Sequence, residues 1–209
     1  MSGRCSKLRM NHDELILASG SPRRRDLLKE RGFRFGVRVA GVEELQEPGD
    51  LDPVGFTLEN AGRKASAVSA IHERALILAA DTTVVFGGRI FNKPADLEEA
   101  EEMLLALSGR RHTVVTGGVF EFRAGGYRCA EAVESGVVFR ELTPERIRRY
   151  FRRVNPLDKA GAYGIQEAGE LIIDHYEGSF TNIMGLPMEW VKDTLRGRNW
   201  LDLFRGGTV

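Results

Sequence analysis

An uninterrupted apolar run in the middle of the chain, Ala75-Leu76-Ile77-Leu78-Ala79-Ala80, is the feature that most constrains the fold. A strand with one face in water alternates apolar and polar residues, so an unbroken run of this kind favours a strand that is covered on both faces. We therefore predict a central strand over residues 75–80, with helices packed on both faces of its sheet. We expect Asp81 to lie at the carboxyl end of this strand.

Strand and helix patterns alternate along the rest of the chain. Further strands are predicted over Leu15–Ala18, Val114–Phe122, Val133–Leu142 and Leu171–Tyr176, and a hairpin over Val84–Phe86 and Arg89–Phe91 around Gly87-Gly88. Helices are predicted from Pro22, with Ser21 as N-cap, over Thr57–Ile71, over Asp96–Leu107, from Pro144 to about Val154 and from Pro187 to about Leu195. Because hairpins occur among the helices, we expect an α/β fold with a mixed central sheet flanked by helices.

The composition limits the partners that such a domain can have. Lysine and arginine number 30 and aspartate and glutamate number 30, so the formal net charge is zero and gives no overall field for nucleic acid or an anionic membrane. Cys5 and Cys129 lie far apart without metal-ligand spacing, and no apolar segment is long enough to span a membrane. We expect one cytoplasmic domain over residues 1–209, with 1–13 and 205–209 as flexible tails.

Positive charge is nevertheless concentrated in one place, the sequence ASGSPRRRDLL at residues 18–28. The pattern indicates a strand, a tight loop and a helix, whose N-terminus offers free N–H groups and the positive end of the helix dipole to an anion. Guanidinium groups bind phosphate oxygens in pairs, so Arg23 and Arg24 would turn this loop into a phosphate clamp. A helical projection places Arg24 on the same side as the apolar residues of the helix and directs Arg25 to solvent.

Other residues could join this site, and their types alone leave two interpretations open. Asp81 could bind a divalent ion or orient a water, although an aspartate after a strand is more often a turn residue. The irregular segment 155–166 mixes a cation, an aromatic ring and an amide, and Gln166 could face a nucleobase. Lys64, Glu43 and Glu44 have no distinguishing pattern and are typical of solvated surface residues, unless the fold brings the two acids to Asp81. No GxSxG, HExxH or Walker-type loop occurs, which argues against a serine hydrolase, a zinc protease or a P-loop ATPase.

Six stretches taken together resemble a known family. They are LILASGSPRRRDLL, GVEE, LAADTTVVF, FNKPADLEEAEEMLLALSGRRHTVVTG, DKAGAYGIQ and GSFTNIMGLP, which run in order from residue 15 to residue 187. They resemble the Maf family of nucleoside triphosphate pyrophosphatases, also known as the septum-formation-inhibitor family. The resemblance implies hydrolysis of a nucleoside triphosphate to the monophosphate and pyrophosphate with Mg²⁺ or Mn²⁺, on an α/β fold like that of inosine triphosphate pyrophosphatases. It also implies a ligand cleft between two lobes, and a homodimer is common in the family.

The resemblance assigns roles to individual residues. Asp81 in ADT is implied to accept a proton from the attacking water. The substrate-binding side chains that it implies are Ser21, Arg23, Arg24, Lys64, Lys93 and Lys159. The three lysines match family lysines that face the cleft, where their charge would offset charge developing on phosphorus. Glu43 in GVEE matches an acid near the site, with Asp81 as its partner in binding metal or positioning water.

Three positions, one of them Arg23, distinguish the branches of this family. Where the branch acting on 7-methyl-GTP has tryptophan, glutamine and glutamate, this chain has Arg23, Thr82 and Gln166, as in the dTTP/UTP pyrophosphatase branch. Uracil and thymine are neutral imides, whereas a methylated guanine carries a positive charge that suits an aromatic ring and a carboxylate. We therefore predict hydrolysis of dTTP and UTP, or of modified pyrimidine nucleotides. The alternatives are a 7-methyl-GTP pyrophosphatase, a phosphotransferase and a non-catalytic nucleotide-binding regulator of septum formation.

One position departs from the family pattern. Glu167 stands where the family usually has glycine after the glutamine, and it puts bulk and negative charge beside the expected base pocket. We expect it to influence the preference for the base or the geometry of this loop.

Overall fold

The chain folds around one mixed β-sheet of seven strands, which the computed structural model describes over residues 14–205. The strands are β1 (Leu15–Leu17), β2 (Gly36–Val37), β3 (Leu76–Phe86), β4 (Arg89–Phe91), β5 (Arg111–Phe122), β6 (Tyr127–Phe139) and β7 (Ile173–Glu177). The helices are α1 (Pro22–Glu30), α2 (Pro53–Ile71), α3 (Leu97–Leu107), α4 (Pro144–Phe151), α5 (Phe180–Ile183) and α6 (Met188–Gly197). None of these helices combines the length and the apolar content needed to cross a membrane.

The two ends of the chain were expected to form flexible tails. Residues 1–13 and 206–209 lie outside the described residues. Arg205, the first residue of the expected C-terminal tail, forms an antiparallel bridge with Phe33.

The sheet mixes parallel and antiparallel strands. Its order is β2-β1-β3-β5-β6-β7, and β4 pairs with the far end of β3. β1 runs parallel to β2 and to β3, and the other pairings of the described strands are antiparallel. Parallel neighbours need a crossover connection, which α1 supplies between β1 and β2 and α2 supplies on the way to β3. This arrangement confirms the predicted α/β class with a mixed sheet and flanking helices.

The central strand is longer than predicted, because β3 continues through Asp81 to Phe86. The prediction that the strand ends before Asp81 is therefore wrong. The predicted hairpin around Gly87-Gly88 is confirmed, because Val84–Phe86 at the end of β3 pairs antiparallel with β4. β5 pairs with β3 without a break from Ile77 to Val85. This continuous ladder, together with the β-branched residues Thr82 and Thr83, keeps the polar segment extended.

The other edge of β3 changes partner halfway along. β1 pairs with Leu76–Leu78 and β4 pairs with Val84–Phe86, so the residues between them have no strand partner on that side of the described sheet. A cleft opens at this gap. Asp81 and Thr82 both line it, although consecutive side chains of a strand point to opposite faces of the sheet.

Separate hydrophobic clusters lie on either side of the gap. One cluster packs α1 and α6 against β1 and the first half of β3, through residues such as Leu27 and Trp190. Another packs α3 and α4 against the second half of β3, through residues such as Leu104 and Tyr150. α2 covers β3 and β5 through small residues, including Ala61. The first two clusters form the two lobes that were expected.

Several element boundaries differ from the predicted ones. α2 begins at Pro53 rather than Thr57, because the Asp52 side chain accepts a hydrogen bond from the Gly55 amide and so caps the helix. β6 begins at Tyr127 rather than at the predicted Val133. The earlier start could not be predicted, because the first half of the strand is exposed or half-buried and carries no continuous apolar pattern. β2 and α5 are too short to produce a periodic signal.

His112 on β5 is buried in the second lobe. Its ring packs edge-on against Phe139 and Tyr163, and Nε2 lies 2.8 Å from the Tyr163 hydroxyl. Burial lowers the pKa of His112 to about 4, so the ring is neutral at physiological pH.

We expect the buried neutral His112 to make stability fall in mild acid. Between the ordinary histidine pKa of 6.5 and the folded value of about 4, the unfolded chain binds more protons than the folded one. The stabilisation that comes from the neutral His112 is fully present above pH 6.5. Up to about 3 kcal/mol of the free energy of unfolding is lost as the pH falls from 6.5 to about 4. Urea unfolding across this pH range measures the slope. His112→Gln should flatten it, and His175→Gln, at an exposed position, should not; equal slopes in wild type and His112→Gln would contradict the expectation.

Candidate active site

A cleft of about 660 Å³ opens at the gap in β3. Its walls come from the N-terminus of α1, the loop at 39–46, α2, the middle of β3, the loop at 158–166 and residues 183–185. The residues singled out from the sequence all line it: Ser21, Arg23, Arg24, Glu43, Lys64, Asp81, Thr82, Lys93, Lys159 and Gln166. The structure therefore brings these side chains together from distant parts of the chain.

Lys64 on α2 lies between two carboxylates. Its Nζ is 2.7 Å from Asp81 Oδ1 and 2.9 Å from Glu44 Oε2. Lys64 and Asp81 are buried, with 8% and 9% of their surfaces exposed, whereas Glu44 is partly exposed. Since a buried charge is costly unless it is paired, the two buried groups stabilise each other. The result is a pair of carboxylates held side by side in the cleft by one ammonium group.

An amide side chain fixes the loop that carries Glu44. Asn60, one turn before Lys64 on α2, accepts a hydrogen bond from the Leu45 amide at 2.8 Å and donates one to the Leu45 carbonyl at 3.2 Å. Asn60 is buried, so both bonds are shielded from water. They fix the backbone directly after Glu44 and so bring its carboxylate to the lysine.

Glu44, the neighbour of the predicted Glu43, makes the contact with Lys64. Glu43 is exposed and lines the cleft without an ion pair among residues 14–205. The sequence GVEE supplies both acids, and in the structure the second one faces α2.

The environment of Glu44 favours its charged form. Burial acts to raise its pKa, but the charge and hydrogen bond of Lys64, with the further charges of Lys93 and Arg24, outweigh burial. The pKa of Glu44 is therefore lowered from its ordinary value. This carboxylate is ionised at neutral pH and available to a cation.

Arg24 is buried, and its guanidinium is held from three sides. Nε donates to the Gly185 carbonyl at 2.7 Å, Nη1 donates to Ser19 Oγ at 3.0 Å and Nη2 donates to Thr82 Oγ1 at 3.0 Å. A guanidinium has five N–H groups, and residues 14–205 occupy three of them, which leaves two for a ligand. Burial lowers the pKa of Arg24, and the negative charge of Asp81 opposes that shift.

The other arginines of α1 lie as the helical projection predicts. Arg23 lines the cleft, while Arg25 is exposed to solvent. Arg23 Nη1 is 3.2 Å from Asp158 Oδ2, and its Nη2 donates to the Asp158 carbonyl at 3.3 Å. This ion pair joins α1 in the first lobe to the loop at 158–166. Ser21 occupies the N-cap position, but its side chain makes no capping hydrogen bond.

Lys159 is only 3% exposed, although it lines the cleft. Its ammonium group has three N–H donors. It donates to the Asn155 carbonyl at 2.8 Å and to Asp158 Oδ1 at 2.7 Å, and it forms an ion pair with Glu167 Oε2 at 3.2 Å. A ligand that approaches Lys159 therefore competes with the carboxylate of Glu167.

Glu167 turns toward the cations of the cleft. Besides Lys159, its carboxylate lies 4.0 Å from Arg23 Nη1 and accepts a hydrogen bond from Gln166 Nε2 at 3.1 Å. Its negative charge therefore offsets positive charge at the site. Lys93, by contrast, is exposed in the cleft and makes no ion pair with any described residue.

Two acids of the cleft could contribute to a metal site. Within residues 14–205, no group of three or more His, Cys, Asp or Glu side chains has the geometry to hold a metal ion. Asp81 and Glu44 are nevertheless brought close together by their shared contact with Lys64. Mg²⁺ is commonly bound by one or two carboxylates together with substrate phosphates, so this donor set fits a cation that is shared with a nucleotide.

The sequence leaves Glu44 as a surface acid unless the fold brings it to Asp81, and it does not single out Asp158 or Gly185. Each of the three contacts a predicted side chain. Glu44 and Asp158 are direct neighbours of the candidates Glu43 and Lys159, and a single sequence gives no means of choosing between neighbours. Gly185 has a φ of +104°, which favours glycine, and it lies in the stretch GSFTNIMGLP. A glycine within this stretch is the only feature of the sequence that indicates a turn at Gly185.

Known proteins resemble this chain over most of its length. A family model described as Maf-like protein matches residues 14–198. A dTTP/UTP pyrophosphatase of Pelotomaculum thermopropionicum is 44% identical over 183 residues, which cover 88% of this chain and 95% of the relative. A dTTP/UTP pyrophosphatase of Desulfitobacterium hafniense is 47% identical over 188 residues, covering 87% of this chain and 83% of the relative. Among solved structures, a HAM1 protein from Coxiella burnetii matches 59% of this chain and 72% of its own, at 16% identity and a TM-score of 0.36, which is too weak a likeness to support an argument.

We expect Glu167→Gln to strengthen the binding of inorganic tripolyphosphate roughly threefold to tenfold, because Lys159 and Arg23 lose a competing negative charge. Titration calorimetry measures the dissociation constant without any need for turnover. Glu170→Gln is the matched control, since Glu170 follows on the same loop and pairs with Arg153 outside the cleft. Equal strengthening in both variants would reveal a general effect of net charge. An unchanged dissociation constant in Glu167→Gln would contradict competition at these cations.

Proposed function

The chain belongs to the Maf-like protein family, and we propose that it hydrolyses dTTP and UTP, or pyrimidine nucleotides modified on the base, to the nucleoside monophosphate and pyrophosphate. The relatives named dTTP/UTP pyrophosphatase support this proposal, because their similarity extends over nearly the whole chain. The enzyme is then a hydrolase of phosphoric anhydride bonds.

The observation that carries the proposal is the position of Lys64 between Asp81 and Glu44 in a cleft that also contains arginines and Lys93. Hydrolysis of a triphosphate needs a group that accepts a proton from water and positive charge that stabilises the phosphates in the transition state. The cleft offers both within one cavity.

The attacking water is activated by Asp81. Oδ1 of Asp81 is bound by Lys64, and Oδ2 has no hydrogen-bond partner among residues 14–205, so Oδ2 can accept the proton. The water oxygen forms a bond to the α-phosphorus while the bond from that phosphorus to the bridging oxygen breaks. Pyrophosphate leaves with the electron pair, and the two unused N–H groups of Arg24 and the ammonium of Lys93 offset its charge.

A divalent cation, Mg²⁺ or Mn²⁺, belongs to the proposal. Asp81 and Glu44 would hold it together with phosphate oxygens of the substrate, and Glu43 lies in the same cleft wall. When bound, the cation would supply Lewis-acid polarisation of the phosphate.

Base selection is assigned to Arg23, Thr82 and Gln166, which all line the cleft. Gln166 donates one N–H of Nε2 to Glu167, and no other residue among 14–205 bonds its side chain, so its carbonyl oxygen and second N–H can meet a base edge. A uracil or thymine ring presents an N–H beside a carbonyl oxygen, which matches this donor and acceptor pair. We propose that the enzyme acts on free nucleotides in the cytoplasm, with no nucleic acid or membrane partner, and that it can form the homodimer that is common in its family.

We expect pyrophosphate release from dTTP and UTP with Mg²⁺ or Mn²⁺, in a panel that also contains CTP, 7-methyl-GTP and ITP. Asp81→Asn should lower kcat by about 10²- to 10⁴-fold, since it removes the proton acceptor. Asp174→Asn, at an exposed position on β7 outside the cleft, is the matched control and should leave kcat unchanged. Ion-exchange chromatography identifies the products.

Each alternative function gives a different result in the same panel. Turnover of 7-methyl-GTP alone would reassign the base specificity, and a diphosphate product would replace hydrolysis at the α-phosphorus with phosphotransfer. Binding of UTP without turnover of any nucleotide would favour the regulator without catalysis.

A further inference from the structure

The hydroxyl of Thr82 is fully committed as a donor inside the protein. Arg24 Nη2 lies 3.0 Å from Thr82 Oγ1, Thr82 Oγ1 lies 3.0 Å from Thr116 Oγ1, and Thr116 Oγ1 lies 3.0 Å from the Asn182 carbonyl. A guanidinium can only donate and a carbonyl oxygen can only accept. The proton of Thr116 therefore goes to Asn182, and the proton of Thr82 goes to Thr116. The chain of bonds has one direction, from the guanidinium to the backbone of α5.

The same turn holds Arg24 a second time. The Gly185 carbonyl accepts the hydrogen bond from Arg24 Nε at 2.7 Å, and the Gly185 amide donates to the Asn182 carbonyl at 2.8 Å. Asn182 is thus linked to both ends of the guanidinium, through Gly185 on one side and through the two threonines on the other. The φ of +104° at Gly185 lets the chain turn so that both contacts form.

Buried hydrogen bonds anchor this turn to the sheet. Asn182 is fully buried, and its Nδ2 donates to the Val114 carbonyl at 3.1 Å and to Ser135 Oγ at 2.9 Å. Ser179 caps α5 by accepting from the Asn182 amide. The turn is therefore fixed to β5 and β6, and it transmits that fixed position to Arg24.

A comparison with Thr83 shows that burial alone does not give a threonine hydroxyl of this sheet a hydrogen-bond partner. Thr83 follows Thr82 on β3 and is fully buried, yet its hydroxyl has no hydrogen-bond partner among the described residues. Thr116 is equally buried on the adjacent strand, but its hydroxyl lies in the path to Arg24. The two threonines differ in this connection and not in burial.

We propose that Thr116, acting through Thr82, is a positioning residue that holds the Arg24 guanidinium at the angle at which its unused N–H groups meet the phosphates of the substrate. A group held by several buried bonds loses little further freedom when a ligand binds, which favours affinity and precise placement. Thr82 keeps at most one lone pair for a ligand, so it can meet a base only as an acceptor. The proposal rests on the proposed function and gives the stretch GSFTNIMGLP its role, the support of Arg24.

The test compares Thr116→Val, which removes the hydroxyl and keeps the shape, with Thr83→Val, which removes a buried hydroxyl outside the relay. We expect Thr116→Val to raise the KM for UTP and to weaken tripolyphosphate binding by calorimetry, each about fivefold to tenfold, with a smaller change in kcat. Thr116→Ser should restore both constants to within about twofold, because the serine hydroxyl can rebuild the relay. Thr83→Val should leave both constants unchanged.

Urea unfolding of each variant separates positioning from stability. A loss of stability in Thr116→Val without a change in KM or in tripolyphosphate affinity would overturn the proposal, as would equal effects of Thr116→Val and Thr83→Val. If Thr116→Val does not fold, Thr82→Val breaks the relay at the next residue, and tripolyphosphate affinity alone is then the readout because Thr82 is also assigned to base selection. Tripolyphosphate binding needs no turnover, so the relay can be judged even if the nucleotide panel gives no hydrolysis.

Discussion

The cleft depends on one constraint, the change of partner along the edge of β3. β1 ends after pairing with Leu78 and β4 begins to pair at Val84, and β5 on the opposite edge keeps the strand straight between them. Between Leu78 and Val84, β3 therefore passes from the first lobe to the second with no strand paired to this edge in the described part of the chain. Side chains on both faces of β3 reach the gap, so Asp81 can meet Lys64 on α2 while Thr82 meets Arg24 on α1. A strand that ended at Asp81 would place only one of these contacts in the cleft.

The positive charges of the cleft are held in place by protein acceptors. Lys64 lies between carboxylates, Lys159 is enclosed by acceptors, and the buried Arg24 is held by neutral hydroxyl and carbonyl oxygens. Burying these cations without partners would cost several kcal/mol each, so the pairing is a condition of folding as well as of function. The pairing also separates the cations of the cleft into those that are bound to carboxylates and those that are not. A ligand must compete with carboxylates at Lys159 and Arg23, whereas Arg24 and Lys93 keep N–H donors that no residue within the described part of the chain occupies.

Much of this arrangement could be predicted from the sequence, because short motifs with local meaning encode it. The apolar run at 75–80, the loop before Arg23 and the caps of the helices depend on neighbouring residues only, and the family resemblance supplies the rest of the cleft lining. Contacts that depend on tertiary packing could not be predicted. The ion pair of Glu44 with Lys64 depends on the loop that Asn60 holds against α2, and the continuation of β3 through Asp81 depends on the ladder with β5. The relay to Arg24 joins residues on four separate elements, which no local pattern reveals.

In the proposed reaction, a water in the cleft attacks the α-phosphorus of a pyrimidine nucleoside triphosphate. Hydrolysis of UTP in water labelled with a heavy oxygen isotope, followed by mass spectrometry of both products, locates the bond that the water forms. We expect the label in UMP and none in pyrophosphate, because the new bond forms at the α-phosphorus and the bridging oxygen leaves with pyrophosphate. Label in the pyrophosphate, or release of UDP with labelled phosphate, would contradict the proposed reaction.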